Sequence, residues 1–218
     1  MGDLGEAGDV YEVIAEYAKE TFGLKVTDNV TGAVIHNETY EFGADVPEIT
    51  APELEGYDFV KFNKEIPATM GDLGEAGDVY EVIAEYAKET FGFKVTDNVT
   101  GAVIVDTTYA YGDAIAPVTA PELAGYDFVD FSKEIPATMG DLGEAGDVLE
   151  IIANYEKEVY NFKVVDDVTG AVIVETNYAF GDKIAAVTAP EVEGYEFVEF
   201  VGGIPATMPD AGANGATY

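Results

Sequence analysis

One string, Met-Gly-Asp-Leu-Gly-Glu-Ala-Gly-Asp-Val, begins at Met1, again at Met70 and again at Met139, and no insertion or deletion separates the copies. The period is 69 residues. Whatever this unit folds into, the chain must build it repeatedly, so one asymmetric core around one site is a poor expectation. The period is longer than the repeats of about 20–50 residues that stack into solenoids. It is long enough for each unit to enclose a small core of its own, close to the lower limit of independent stability.

Charge narrows the partners. The 43 acidic and 10 basic side chains leave a formal net charge of −33, and every basic residue is a lysine. Such a surface repels phosphate backbones and anionic headgroups, which excludes nucleic acid and membrane surfaces as partners. The sequence has no cysteine, so disulfides, thiolate metal sites and cysteine nucleophiles are excluded. No apolar run approaches the length that spans a bilayer, and no basic and apolar leader opens the chain. With 14 Tyr and 12 Phe spread along it, the chain is expected to fold.

The middle copy shows the local pattern best. Val103, Val105, Thr107, Tyr109 and Tyr111 alternate with polar positions such as Asp106 and Thr108. That period predicts a half-buried strand with those five residues inward. The preceding Asn98-Val99-Thr100-Gly101 turn makes it the second arm of a hairpin. A proline-spaced stretch through Pro117 and Pro121 follows, and then a third alternating segment, Gly125-Tyr126-Asp127-Phe128-Val129-Asp130-Phe131. The segment from Asp78 to Tyr86 is ambiguous. Val79, Val82, Ile83 and Tyr86 fit a helical stripe behind a capping-box pair, Asp78 and Glu81. Tyr80, Val82, Ala84 and Tyr86 equally make one face of a strand.

The motifs Gly56-Tyr57-Asp58-Phe59 with Ile66-Pro67-Ala68-Thr69-Met70, Gly125-Tyr126-Asp127-Phe128 with Ile135-Pro136-Ala137-Thr138-Met139, and Gly194-Tyr195-Glu196-Phe197 with Ile204-Pro205-Ala206-Thr207-Met208 resemble the Listeria–Bacteroides repeat family. The internalin B-repeats belong to that family, and the mucin-binding (MucBP-type) surface repeats are similar. Phe62, Phe131 and Phe200 stand where the family usually has Trp, and the Gly-Asp-Leu-Gly-Glu-Ala-Gly-Asp segment is longer than its usual turn. The resemblance implies a strand after each Thr-Met turn. The expected fold is therefore mainly β: three tandem small β-grasp-like modules in an elongated rod. An α+β fold, with residues 10–22 and their copies helical, is the alternative. The modules are then residues 18–87, 88–156 and 157–218, with residues 1–17 an extra closing strand in front. The closing segment of the last module, residues 211–218, is a poor strand.

No catalytic constellation is apparent. His36 aligns with Val105 and Val174 on the strand face assigned inward, where a local substitution explains it better than a ligand or base. Ser132 has no histidine nearby in sequence to activate it. The loop acids Asp72, Glu75 and Asp78 recur as Asp141, Glu144 and Asp147, and as Asp3, Glu6 and Asp9. Oxygen ligands on a glycine-rich loop are what Ca²⁺ would use, although the spacing is not that of an EF-hand. The competing account is a solvated loop, and no cofactor is expected. Lys25, Lys94 and Lys163 recur on the first hairpin arm, where isopeptide crosslinking competes with a solvated role. The Tyr and Phe residues of the Gly-Tyr-x-Phe segments are expected in the core rather than on a glycan-stacking platform.

The resemblance implies a non-enzymatic, extracellular cell-surface repeat protein, either an adhesin segment or a stalk, with host mucin, glycan or protein as partner. A second expectation is self-assembly into a homopolymer. Residues 10–17 of one chain, through Val10, Tyr11, Val13, Ala15 and Tyr17, would complete the sheet of residues 157–218 in the next by donor-strand complementation. Such a head-to-tail contact does not close on itself and gives a filament.

Overall fold

The computed structural model describes residues 10–218. They contain ten strands and no helix, and the chain divides into two compact units between Lys88 and Glu89. The helical alternative for residues 10–22 and their copies is therefore overturned. The described part of the first copy, residues 10–20, has no regular structure, and Thr21 and Phe22 begin a strand. The later copies form the strands Val79–Lys88 and Val148–Lys157.

The first unit holds one four-stranded sheet: β1 (Thr21–Asp28), β2 (Val34–Glu41), β3 (Tyr57–Phe62) and β4 (Val79–Lys88). Its order is β2-β1-β4-β3. β1 and β2 form the expected hairpin, β4 lies parallel to β1, and β3 returns antiparallel on the far side of β4. The second unit repeats this sheet with β5 (Thr90–Asp97), β6 (Val103–Ala110), β7 (Tyr126–Phe131) and β8 (Val148–Lys157), in the order β6-β5-β8-β7. It adds a two-stranded sheet of β9 (Val159–Val165) and β10 (Val172–Ala179).

One face of each sheet is buried, and long loops rather than a second layer cover it. Phe22, Leu24 and Val26 on β1 and Val82 on β4 pack with Met70, and Val46, Ile49, Ile66 and Leu73 from the loops close over them. The second sheet repeats the set with Phe91, Phe93, Val95, Ile151 and Met139. The Ile-Pro-Ala-Thr-Met turn explains the position of the methionine. Gly43 N–H donates to the Met70 carbonyl and Met70 N–H to the Ala44 carbonyl, which draws the methionine beneath the sheet. Met70, Met139 and Met208 are all fully buried. Burial of one such side chain stabilises by about 1.5–3 kcal/mol, a large fraction of what a core this small contributes.

The alternation predicted for the second hairpin arm is only half right. Val105, Tyr109 and Tyr111 pack against the core, but Val103 and Thr107 are exposed. A bulge accounts for Val103. Pairing runs regularly from Thr90↔Ala110 to Val95↔Val105, then slips so that Thr96 faces Val103. The extra residue lets Ile104 reach the core beside Val105 and turns Val103 outward. The aromatic prediction for the third segments also needs correction. Phe62 and Phe131 pack against their cores, but Phe59 and Phe128 are each 42 % exposed. Phe59 packs its ring 5.0 Å from Phe62 and 5.5 Å from Tyr86, so these residues form a half-exposed aromatic cluster at the sheet edge.

The third copy repeats the hairpin and the core positions of the other two. Tyr160, Phe162, Ile184 and Met208 form its core, yet Val164 is only partly buried where Val26 and Val95 are fully buried. Only one residue pair, Asn161↔Thr217, continues the parallel pairing that Gly23↔Val79 and Gly92↔Val148 begin in the other copies. Residues 195–200, which correspond to β3 and β7, form no strand.

Candidate functional site

Among the described residues, the densest polar construction is structural. At the end of β5, Asp97 is 4 % exposed. Its carboxylate accepts hydrogen bonds from the N–H groups of Val99, Thr100, Gly101 and Ala102 and from the Thr100 hydroxyl. The Thr100 N–H bond is the largest influence and outweighs burial, so the carboxyl is lowered to about 2. Asp28 has the same ring of donors. Burial there opposes the charge most, yet the donors from Thr31, Val30 and Gly32 prevail and again bring it to about 2. Neither carboxylate keeps a free face for a ligand. Asn29 extends the turn: it accepts from Tyr86 N–H at 2.9 Å and donates to the Tyr86 carbonyl at 3.3 Å.

The predicted loop acids do not converge. Asp72 accepts from Gly74 N–H and Asp78 from Glu75 N–H, and Asp141 and Asp147 repeat this with Gly143 and Glu144. Among the described residues no group of three His, Asp or Glu side chains is placed to hold a metal ion. Asp3, Glu6 and Asp9 lie outside the described residues. His36 is half-buried, its Nε2 2.9 Å from the Tyr40 hydroxyl, which donates to Glu38. Ser132 accepts from Ile152 N–H at the edge of β8. The strand expected at residues 10–17 is not formed. Val10, Tyr11, Val13 and Tyr17 are at least three-quarters exposed and Ala15 is exposed, because no neighbouring strand lies beside them.

Two recesses that sequence reasoning missed lie at matching positions 69 residues apart. Lys25, Thr27, Asn63, Lys64, Glu81 and Ile83 line one of about 180 Å³, and Lys94, Thr96, Ser132, Lys133, Glu150 and Ile152 line another of about 370 Å³. Lys25 stands between Asn37 on β2 and Glu81 on β4 in the sheet register. Lys64 arrives from the loop after β3, donates to the Glu81 carbonyl at 2.8 Å and lies 5.2 Å from the centre of the Tyr80 ring. The recurrence of Lys25 and Lys94 was visible in the sequence. Their convergence with Lys64 and Lys133 was not, because it depends on the β3-β4 register.

Inside the second unit, Glu158 alone separates β8 from β9, and it is buried. Its N–H donates to the Gly125 carbonyl, and its own carbonyl accepts from Phe180 N–H, both at 2.9 Å. The Phe180 ring covers Gly125 and meets the Tyr126 ring at 5.7 Å. Lys157 pairs with Asp182 at 3.6 Å, and Asn214 donates to Asp127 at 2.9 Å. The Tyr160 hydroxyl lies between Glu158 and Asp210, and burial followed by these two acceptors raises its pKa. These contacts fix the third copy against the second.

No family model and no curated protein matches the chain. Among solved structures, it is similar to a type 2 repeat of the mucus binding protein MUB from Lactobacillus reuteri, at 14 % identity over 64 % of this chain and 100 % of that one, with a TM-score of 0.21. A crystal structure of Mub-RV is similar at 16 % identity, over 63 % and 99 % of the two chains, with a TM-score of 0.20. No helix of the described residues is long and apolar enough to cross a membrane.

Proposed function

We propose that the chain is a non-enzymatic, extracellular tandem-repeat protein of a cell surface, composed of modules at residues 18–87, 88–156 and 157–218, that presents repeated sheets to a host mucin or glycan. The observation that carries this reading is repetition of the same exposed construction: two sheets with one topology, each with its lysine-lined recess in the same place. Multiple weak, equivalent contacts are how a repeat protein gains avidity. The one-residue joint at Glu158 supports a stalk role for the same chain, since so short a connection leaves little play. The sequence resemblance to mucin-binding repeats makes mucin the first ligand to test. The full chain should be retained on an immobilised mucin layer and released by deglycosylating it. Equal retention on bare and mucin-coated surfaces would leave the chain a spacer and end the adhesin reading.

A second reading, assembly into a homopolymer, starts from a match in sequence. Residues 10–19 repeat the sequence of β4 (Val79–Lys88) at all ten positions but form no strand. Within residues 157–218, β9 has one parallel bridge where β1 and β5 have a full strand, and Tyr195, Phe197 and Val198 are 65 %, 55 % and 87 % exposed. Residues 10–19 of another copy would seat Val13, Ala15 and Tyr17 where Val82, Ala84 and Tyr86 are buried, with Val10 and Tyr11 in the places of Val79 and Tyr80. Light scattering should find concentration-dependent oligomers of the 218-residue chain that Val13→Lys abolishes and Ile14→Lys, on the outward face, leaves intact. A monomer at every concentration would sink this reading.

A further inference from the structure

In a chain with 43 acidic side chains, lysines are expected to find carboxylates, and several do. Lys19, Lys61, Lys157 and Lys163 pair with Glu41, Glu85, Asp182 and Glu175 at 3.3–3.9 Å. The four lysines of the recesses do not: among the described residues Lys25, Lys64, Lys94 and Lys133 have no carboxylate within 4.0 Å of the ammonium group. Acids stand close by in the register, Glu81 opposite Lys25 and both Asp106 and Glu150 opposite Lys94, yet in each copy two lysines line one recess without an ion pair. Lys64 is moreover held in place: one of its three N–H donors goes to the Glu81 carbonyl, and the Tyr80 ring lies beneath the charge. Its other donors remain for a ligand.

We propose that each recess is a subsite for an acidic sugar residue, one whose ring carries a carboxylate or a sulfate ester. This rests on the glycan-facing reading above and adds the ligand class. The chemistry of the lining selects that class. Two ammonium groups meet the anion. The Glu81 or Glu150 carboxylate accepts from ring hydroxyls, and Thr27 or Thr96 both donates and accepts. Ile83 and Ile152, 39 % and 43 % exposed, offer an apolar surface to the C–H face of a ring. A bare sulfate would gain from the lysines but face the glutamate with nothing to donate. Volumes of about 180 and 370 Å³ lie at or below the roughly 300–1,000 Å³ of drug-sized pockets, which suits a single ring. The third copy lacks the lysine pair: Lys163 is paired with Glu175, and Gly202 stands where Lys64 and Lys133 stand in the others.

The test is an NMR titration of the full isotope-labelled chain at fixed ionic strength with glucuronate, galactose 6-sulfate, glucose, acetate and inorganic sulfate. Saturating shifts are expected at the amides of Lys25, Thr27, Ile83, Lys94, Thr96 and Ile152, with little change around Lys163. They should appear with one or both acidic sugars and not with glucose. Which acidic sugar responds identifies the anion. The double variant K25Q/K64Q should weaken binding at least tenfold at the first recess while the second stays as an internal control, with the thermal midpoint unchanged. Equal shifts with glucose, shifts spread over the whole surface, or insensitivity to K25Q/K64Q would overturn the site. Acetate or sulfate acting as well as the sugars would reduce it to a simple anion site and overturn the sugar class. Mucin retention of the wild type and of K25Q/K64Q/K94Q/K133Q separates the two proposals. Retention by the fourfold variant leaves the mucin reading standing without these recesses. Loss of retention by the wild type alongside intact sugar shifts removes the mucin reading and keeps the recesses.

Discussion

At the scale of single residues, a buried acid in a turn contributes more to this protein than its surface acids do. Asp97 has its carboxyl lowered to about 2 against an ordinary value near 3.8, so the folded state favours the charged form. A lowered folded value contributes stability that is complete above the unfolded pKa and is lost as pH falls through the folded one. The contribution is on the order of 2 kcal/mol at neutral pH, and it should disappear between about pH 4 and pH 2. Asp97→Ala should therefore destabilise the second unit by about 2 kcal/mol or more at pH 7, with the difference from wild type shrinking at pH 2, measured by urea unfolding. Asp166 is the half-buried counterpart in the third copy, with two N–H donors, Val168 and Thr169, and its alanine variant should cost less. Gly125 gives a second residue-scale prediction. It sits at φ +75°, and a Cβ there would lie 2.2–2.5 Å from the Phe180 ring. Gly125→Ala should destabilise the Glu158 joint by a few kcal/mol. Adding Phe180→Ala should recover the steric part and leave about 1 kcal/mol of backbone strain.

At the scale of elements, residue identity alone does not decide what forms. β3, β7 and residues 195–200 carry nearly the same alternating aromatic pattern, yet only the first two are strands. The difference is the partner. β3 and β7 have β4 and β8 to bond with, and residues 195–200 have no neighbouring strand. Residues 10–19 make the same point from the other side, since their sequence is that of β4. Hydrogen exchange should find the amides of β3 and β7 protected, and those of residues 195–200 exchanging at least about a hundredfold faster. This is also where legibility in the sequence stopped. The hairpins, the third segments and the turn at Ile-Pro-Ala-Thr-Met could be read from alternation, glycine and proline. The strand nature of Val79–Lys88 came only through a resemblance, because Val79, Val82, Ile83 and Tyr86 satisfy a helix as well as a strand. The exposure of Val103 depends on a bulge, and the lysine recesses depend on a cross-strand register. Neither is written in the local order of residues.

At the scale of the whole molecule, charge dominates. A net charge of −33 on 218 residues raises the free energy of every compact state through self-repulsion. The ion pairs of Lys19, Lys61, Lys157 and Lys163 are on largely exposed side chains, so each offsets little of it. Salt shortens the range of the repulsion from about 30 Å at 0.01 M to about 8 Å at 0.15 M. The thermal midpoint should therefore rise by several degrees between those conditions, and scanning calorimetry would show it. A midpoint that fell with added salt would mean that local ion pairs outweigh the repulsion.

The parallel pairing of each sheet's entering and closing strands bears on mechanics. In the second sheet β5 enters and β8 leaves, side by side in the same direction, paired from Gly92↔Val148 to Asp97↔Ala153. Tension drawn through the start of β5 and the end of β8 pulls them past each other, so their bonds are loaded together in shear instead of unzipping one at a time. Resistance to such a load is set by the unfolding rate. The first sheet pairs β1 with β4 in the same way, from Gly23↔Val79 to Asp28↔Ala84, and so carries the same clamp.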